Sequence, residues 1–497
     1  MIKAQYETYS LDGELCTAAG QSVVECRLPA LEVAKVLAVD GIAVVVSASC
    51  ENGCVNYTGK LLLTVLYESG EGQINRVERG AEFFHKAEHE KIAPANFAVG
   101  RAAVKKVETR KEGASVVVSA YIGCEFSVYG RREIKLLQGG EGLAVKTGKA
   151  ELVKTVPASV TFEEDDEFET EYLEGVLSHS ERVFVTSAMC SLDGVEVSGE
   201  LVLQLCALKR DGSVCSYERV LPVHAKAPAE GLSSLSPAWA EISVQEALLT
   251  VHTDEEKGTA KVSAVFTLRA DCKGWRKEEV TVCEDAYSPK CEVSLIRQKE
   301  VGRYATNTKI FTERVACPIA LGEEFGDDIR LRAALSPVAV VTQVSGEKGN
   351  AQVEGVIEAK LLCERESGGY LSFPFHIPFV VTVAAQGEDF SAEAFAFGVG
   401  ARRKAGGELE AEATLKIALR SYETVTLEAV TEVREGEERA ENDAAISVYL
   451  PKAGDDLWTT AKRLSQYPEE LERCNDGLVF PLKGEERLLV YRQKGEK

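Results

Sequence analysis

Residues 54–67 read CVNYTGKLLLTVLY, and this stretch decides the fold. Asn52-Gly53 is a turn signal, a short alternating run leads to Gly59, and the apolar run KLLLTVLY follows. The same order returns twice. DGVEVSG ends at Gly199 before ELVLQLCAL, and KGNAQVEG ends at Gly355 before VIEAKLLC. Thirteen residues beyond each glycine stands another, Gly72, Gly212 and Gly368. Then come Ile74, Val214 or Tyr370; Val77, Tyr217 or Phe373; and Phe83, Val223 or Phe379, at fixed offsets. So many matches mark an internal repeat. Each copy reads as a β-hairpin whose turn glycine takes φ > 0.

A second half follows each hairpin. Gly113 precedes Val116, Val118, Ala120 and Ile122; Gly258 precedes Ala260, Val262, Ala264, Phe266 and Leu268; Gly407 precedes Leu409, Ala411, Ala413, Leu415, Ile417 and Leu419. Period two means a strand with one buried face. REIKLL, EEVTVC and ETVTLEAV supply one further strand each. The copies lie 140 (199 − 59) and 156 (355 − 199) residues apart, a domain-sized spacing. The expectation is a mainly β protein of three tandem, antiparallel, sandwich-like modules at 1–150, 151–300 and 301–435. An acidic linker at 436–443 and a small βααβ domain at 444–493 complete it. The acidic run Glu163–Glu171 (EEDDEFETE) reads as a solvated loop, and REGEERAEND (434–443) as a flexible tether.

The 497 residues carry a formal charge of −22, which disfavours nucleic acid and anionic membrane partners. With 45% hydrophobic residues the chain can build several cores. MIKAQYETYSLDGELC lacks an apolar signal region, and Val33–Ala48 is broken by Lys35 and Asp40. A cytoplasmic protein without membrane insertion is expected. The 14 cysteines are scattered, and several sit at strand positions, such as Cys206 and Cys363, where they serve as small hydrophobes. Cys50 and Cys54 lack a second pair, and His85 and His89 lack a third ligand, so no metal is expected. No nucleophile elbow, P-loop or GxGxxG motif is present, so neither enzymatic activity nor a cofactor is expected.

The tail changes character. ISVYL (446–450) is a strand; Lys452–Asp456 form a turn ending in a helix cap; LWTTAKRL (457–464) is an amphipathic helix. Pro468 opens a second helix, Asn475-Asp476-Gly477 stops it, and ERLLVY (486–491) closes with a strand. KAGDDLWTTAKRLSQYPEELERCNDGLVFPLKGEERLLVYR thus resembles a LysM domain, with Asp456 where threonine is usual. The resemblance implies a groove for N-acetylglucosamine-containing glycans such as peptidoglycan. It would lie between Gly454, Asp455, Asp456, Leu457 and Trp458 on one side and Asn475, Asp476, Gly477, Leu478 and Phe480 on the other. From the residues alone, Asp456 is first a helix cap, and Trp458 is half-buried core before it is a sugar platform.

The body, with Gly-x-Leu-x-x-x-x-Leu-Tyr in its first module and EDAYSP (284–289) in its second, resembles the SPOCS domains of clostridial spore-coat morphogenetic proteins of the SipL type. In that family tandem SPOCS domains precede a C-terminal LysM domain. The resemblance implies a non-enzymatic assembly adaptor in the mother cell, at the forespore surface. Its LysM domain would bind the spore-coat basement ATPase, stage IV sporulation protein A. The alternative is a glycan-binding wall protein. Between Ala444 and Arg492, seven Lys and Arg face eight Asp and Glu, so the tail is near neutral beside an acidic body. Phe480, Leu478, Tyr467 and Trp458 are the candidate anchors for a protein.

Overall fold

Alternation sets the architecture. In β3 (Cys54–Glu68), Val55, Tyr57, Leu61, Leu63 and Val65 are buried on one side of a period-two strand. It lies between β2 (Lys35–Glu51) and β4 (Ile74–Glu88), antiparallel to both. A second antiparallel sheet joins β1 (Lys3–Pro29), β6 (Ser115–Glu141) and β5 (Phe97–Glu112) in the order β1-β6-β5. The two faces meet in a core where Tyr57, Leu61, Leu63 and Phe83 pack with Val118, Ile122 and Phe126. This computed structural model describes residues 2–29, 33–113, 115–320, 329–347, 349–387, 389–404, 408–439 and 446–491.

The pattern is built three times. The second unit runs β7 (Ala144–Glu171), β8 (Leu173–Ser191), β9 (Gly194–Lys209), β10 (Val214–Pro228), β11 (Ala238–Asp254) and β12 (Thr259–Tyr287). The third runs β13 (Cys291–Ile319), β14 (Ile329–Glu347), β15 (Asn350–Arg365), β16 (Tyr370–Ala384), β17 (Asp389–Arg403) and β18 (Leu409–Glu438). Their sheets, β10-β9-β8 with β11-β12-β7 and β14-β15-β16 with β13-β18-β17, match the first unit's. One unit hands over to the next at Glu141/Ala144 and at Tyr287/Cys291, where the sequence reading had set 150 and 300. Gly436–Glu438 of the expected linker belong to β18, and 440–443 lie outside the described residues.

The glycines divide by role. Gly72, Gly212 and Gly368 sit in turns with φ of 78°, 77° and 93°. Gly59, Gly199 and Gly355 lie inside the central strands, opposite Val45, Val185 and Val341, where each neighbouring strand changes register. A Cβ on Gly355 would come 2.3 Å from both the Val340 carbonyl oxygen and Phe379 Cζ, and one on Gly59 2.1 Å from Phe83 Cζ. All three glycines sit opposite a bulged neighbour; Gly59 and Gly355 also admit an aromatic ring, and at Gly199 a Cβ would come 2.9 Å from the Phe184 carbonyl oxygen. Gly407 lies outside the described residues.

The acidic run is not a loop. Glu163–Glu171 belong to β7, paired with β12 from Glu163↔Thr267 to Glu171↔Thr259. Phe162 and Phe168 alternate inward against the second core, and Arg219 holds Asp166 through two hydrogen bonds of 3.0 and 3.1 Å. The inward phenylalanines outweigh the charge of the outward carboxylates.

The three units share further cores, two of which show the repeat most plainly. In one, corresponding residues converge: Leu66, Cys206 and Leu362; Ile74, Val214 and Tyr370; with Leu37, Leu177 and Leu335. Asp40 of the first unit accepts hydrogen bonds there from Ser178 of the second (3.1 Å) and Ser336 of the third. In the other, Leu11, Ile134 and Leu136 meet Leu152, Val280 and Val282, and Leu427 and Ala429. The strands are long for this reason: the first part of β6, β12 and β18 fills its own unit's core and the last part fills a common one. Burial raises the Cys363 thiol to about 11 and also raises Cys206, so both stay protonated as small hydrophobes.

Candidate functional site: the C-terminal module

The tail folds as β19 (Ile446–Tyr449), α1 (Leu457–Leu464), α2 (Pro468–Cys474) and β20 (Leu488–Tyr491). The strands pair antiparallel; Leu488 joins a small core with Ala461, Leu471 and Leu482, and Val490 is buried on the same face of its strand. Asp456 caps α1, accepting from the Thr459 amide at 2.7 Å and its hydroxyl at 2.9 Å. The bond from the Thr459 amide, helped by that from its hydroxyl, sets the carboxyl below the ordinary range against the slight upward push of desolvation. Ser465, at φ 53°, closes the helix.

Of the expected groove residues, Leu457 and Trp458 open α1 and the rest lie on two loops, but the loops are joined to each other. The Gly454 amide donates to the Leu482 carbonyl at 2.8 Å, and the Leu482 amide to the Asp455 carbonyl at 2.9 Å. Asp455 accepts from the Lys452 amide and from Arg463. Asn475 is a structural bracket: it donates to the Leu471 and Leu489 carbonyls (2.8 and 2.9 Å) and accepts from the Leu489 amide (2.7 Å). Asp476 and Gly477 are exposed, while Leu457, Leu478 and Phe480 are half-buried against the module's core. Several backbone groups that would grip an acetamido group are therefore committed within the protein. Tyr467, Leu478 and Phe480 lend most of their surface to packing.

Trp458 faces the body. Its indole Nε1 donates to Asp285 Oδ2 at 2.8 Å, and Lys462 reaches both Asp285 oxygens at 2.6 and 2.8 Å. Partial burial pushes the Asp285 carboxyl up, but the bonds from Lys462 and Trp458 bring it below the usual range. Tyr287 lies edge-on to Trp458, centroids 5.0 Å apart, and its hydroxyl donates to the Gln466 carbonyl at 2.7 Å. Arg439 joins the Ser465 hydroxyl (2.7 Å) and, through its amide, the Lys290 carbonyl (2.9 Å). The EDAYSP segment singled out in the sequence is therefore the module's seat.

The outward face of the two-stranded sheet was not anticipated. Ile446 pairs with Tyr491 and Val448 with Leu489, and these four are 58, 46, 57 and 38% exposed. Leu450 and, on the neighbouring loop, Val479 are exposed too. The signal was present in ISVY and LLVY, where apolar residues occupy both faces of a short strand.

A cavity of about 670 Å³ opens where the units meet, lined by Trp239, Trp275 and Tyr422. Its charged side chains are engaged with one another or with neighbours: Arg101 with Glu241, Lys273 with Glu14, Arg420 with Glu393, Arg303 with Asp389, Arg132 with Glu300, and Asp12 with Arg131. It is a braced seam between units.

His85 lies on β4 and His89 in the following turn, so their four-residue spacing is not that of a helix face. Among the described residues no group of three or more His, Cys, Asp or Glu is arranged to hold a metal ion, and no helix is long and apolar enough to cross a membrane. No family model, curated protein or solved structure matches the chain.

Proposed function

We propose that this chain is a non-enzymatic assembly adaptor: a rigid three-unit β body presenting a small LysM-like module to a protein partner. The observation that carries the reading is the exposed apolar face formed by Ile446, Val448, Leu489 and Tyr491, beside loops several of whose polar groups are spent internally. An apolar sheet face of this kind suits a protein contact centred on a few anchors. The module's near-neutral charge, against an acidic body, favours it as the point of contact. The resemblance to spore-coat morphogenetic proteins gives the partner, the stage IV sporulation protein A ATPase, and the place, the mother-cell cytoplasm at the forespore surface. The test is calorimetric titration of the full chain with that ATPase and, separately, with chitin oligomers. Saturable ATPase binding without chitin binding is expected. Sub-millimolar chitin binding without ATPase binding would replace this reading with a wall-binding one.

A further inference from the structure

The module's position is set by side chains that the repeat does not share. Leu136, Val282 and Ala429 correspond, since all three enter the same common core near the end of β6, β12 and β18. Three residues on, the first unit has Gly139, the second Asp285 and the third Glu432; five residues on stand Glu141, Tyr287 and Arg434. Glu141 is paired with Lys3, and Arg434 with Glu432. Of three corresponding strand ends, one carries the carboxylate and phenol that receive Trp458, Lys462 and the Gln466 carbonyl.

The contact is narrow. From the body, Ala144 and Tyr287 join the module's buried cluster. Among the described residues its polar part is made by the Asp285 carboxylate, the Tyr287 phenol and Arg439. The Asp285 and Lys462 side chains keep 29 and 44% of their exposure, so solvent screens the pair. Opening the seat uncovers one buried aromatic ring and one buried methyl group, Tyr287 and Ala144, and breaks a few polar bonds, less than unfolding either side would.

We infer that Asp285 and Tyr287 form a latch, closed in this structure, that controls which faces of the module a partner meets. Its regulatory consequence rests on the adaptor reading. Closed, the latch covers the indole edge of Trp458 and turns the Ile446–Tyr491 face outward. Open, it releases the Trp458–Lys462 face and frees the module from the second unit. A partner competing for Trp458 must displace Asp285, whereas one that docks on the outer sheet face leaves the latch shut.

The test needs no partner, so its outcome is independent of the adaptor reading. Hydroxyl-radical footprinting of the full chain, read by mass spectrometry, compares the native protein with Asp285→Ala and Lys462→Met. Oxidation of Trp458 and Tyr287 is expected to rise severalfold in both variants, while Leu471 and Leu488 in the module's core and Tyr57 in the body stay protected. Unchanged rates at Trp458 and Tyr287 would overturn the latch. A parallel rise at Leu471 and Leu488 would also overturn it, because Asp285 would then support the module's folding rather than its seating.

Discussion

The common core of the body and the seat of the module are both contacts between separately folded pieces, yet they are made differently. In the core, the repeat meets itself: Leu66, Cys206 and Leu362 are corresponding residues, and so are Ile74, Val214 and Tyr370. Apolar burial there is shared among all three units. At the seat, one strand end has abandoned the repeat for a carboxylate and a phenol; the carboxylate's ion pair is partly exposed and the phenol's hydrogen bond is buried. Repetition builds the rigid part of this molecule, and departure from repetition builds the adjustable part.

That contrast can be broken first at the core. Leu362→Ala, at a fully buried site, should cost about 2–5 kcal/mol. Because the core is shared, calorimetry should show the body's main transition moving as one. A separate early transition for the third unit would mean that the units are independent.

Next comes the glycine inside each central strand. Gly355→Ala places a Cβ against backbone, and Gly53→Ala, at φ 79° with open space around it, meets only the left-handed backbone penalty. The second should cost about 1–2 kcal/mol and the first at least as much, since overpacking typically costs about 1–3 kcal/mol. Equal stability of Gly355→Ala and the native chain in denaturant unfolding would remove the close-approach argument.

At the seat, Asp285→Ala leaves the Trp458 indole unsatisfied and should loosen the module by about 1–3 kcal/mol. The body's melting temperature should not move. A fall in that temperature would make the seat part of the body's core.

A smaller effect belongs to His179. Burial, the largest single influence, lowers its pKa, and Arg76 on β4 also lowers it; the hydrogen bond to Glu181 (2.6 Å), the charge of Glu181 and that of Glu78 on β4 together outweigh them. The net shift is upward from 6.5. Stability from this group is therefore fully present below the ordinary histidine value and is lost as pH rises through the folded one. His179→Gln should flatten that part of the pH–stability curve. Persistence of the slope would assign it elsewhere.

Much of the body was legible because its central strands alternate cleanly, as in the residues after Gly113 and Gly258. The outer strands β1, β5, β7, β11, β13 and β17 were not read as strands. Their faces mix Lys, Glu and Thr with small apolar residues, and in β7 the run Glu163–Glu171 drowned the signal of Phe162 and Phe168. The module's four elements were legible from caps and stops such as Asp456, Pro468 and Asn475. Its surroundings were not: Asp285 and Trp458 are 173 residues apart, and no spacing rule joins a strand end to a helix in another fold. The two loops that carry most of the candidate groove residues were legible as turns, but the hydrogen bonds that join Gly454 and Asp455 to Leu482 exist only in three dimensions.

The most direct measurement is binding of the full chain carrying Val448→Asp to stage IV sporulation protein A. Val448 is 57% exposed, so the substitution should change folding stability by no more than about 0.5 kcal/mol. If the outer sheet face is the docking surface, affinity should fall by about 2 kcal/mol or more while the circular dichroism and melting curve stay native. Undiminished ATPase binding by Val448→Asp, with binding lost instead on Asp476→Ala in the loop expected to form the groove, would contradict the account.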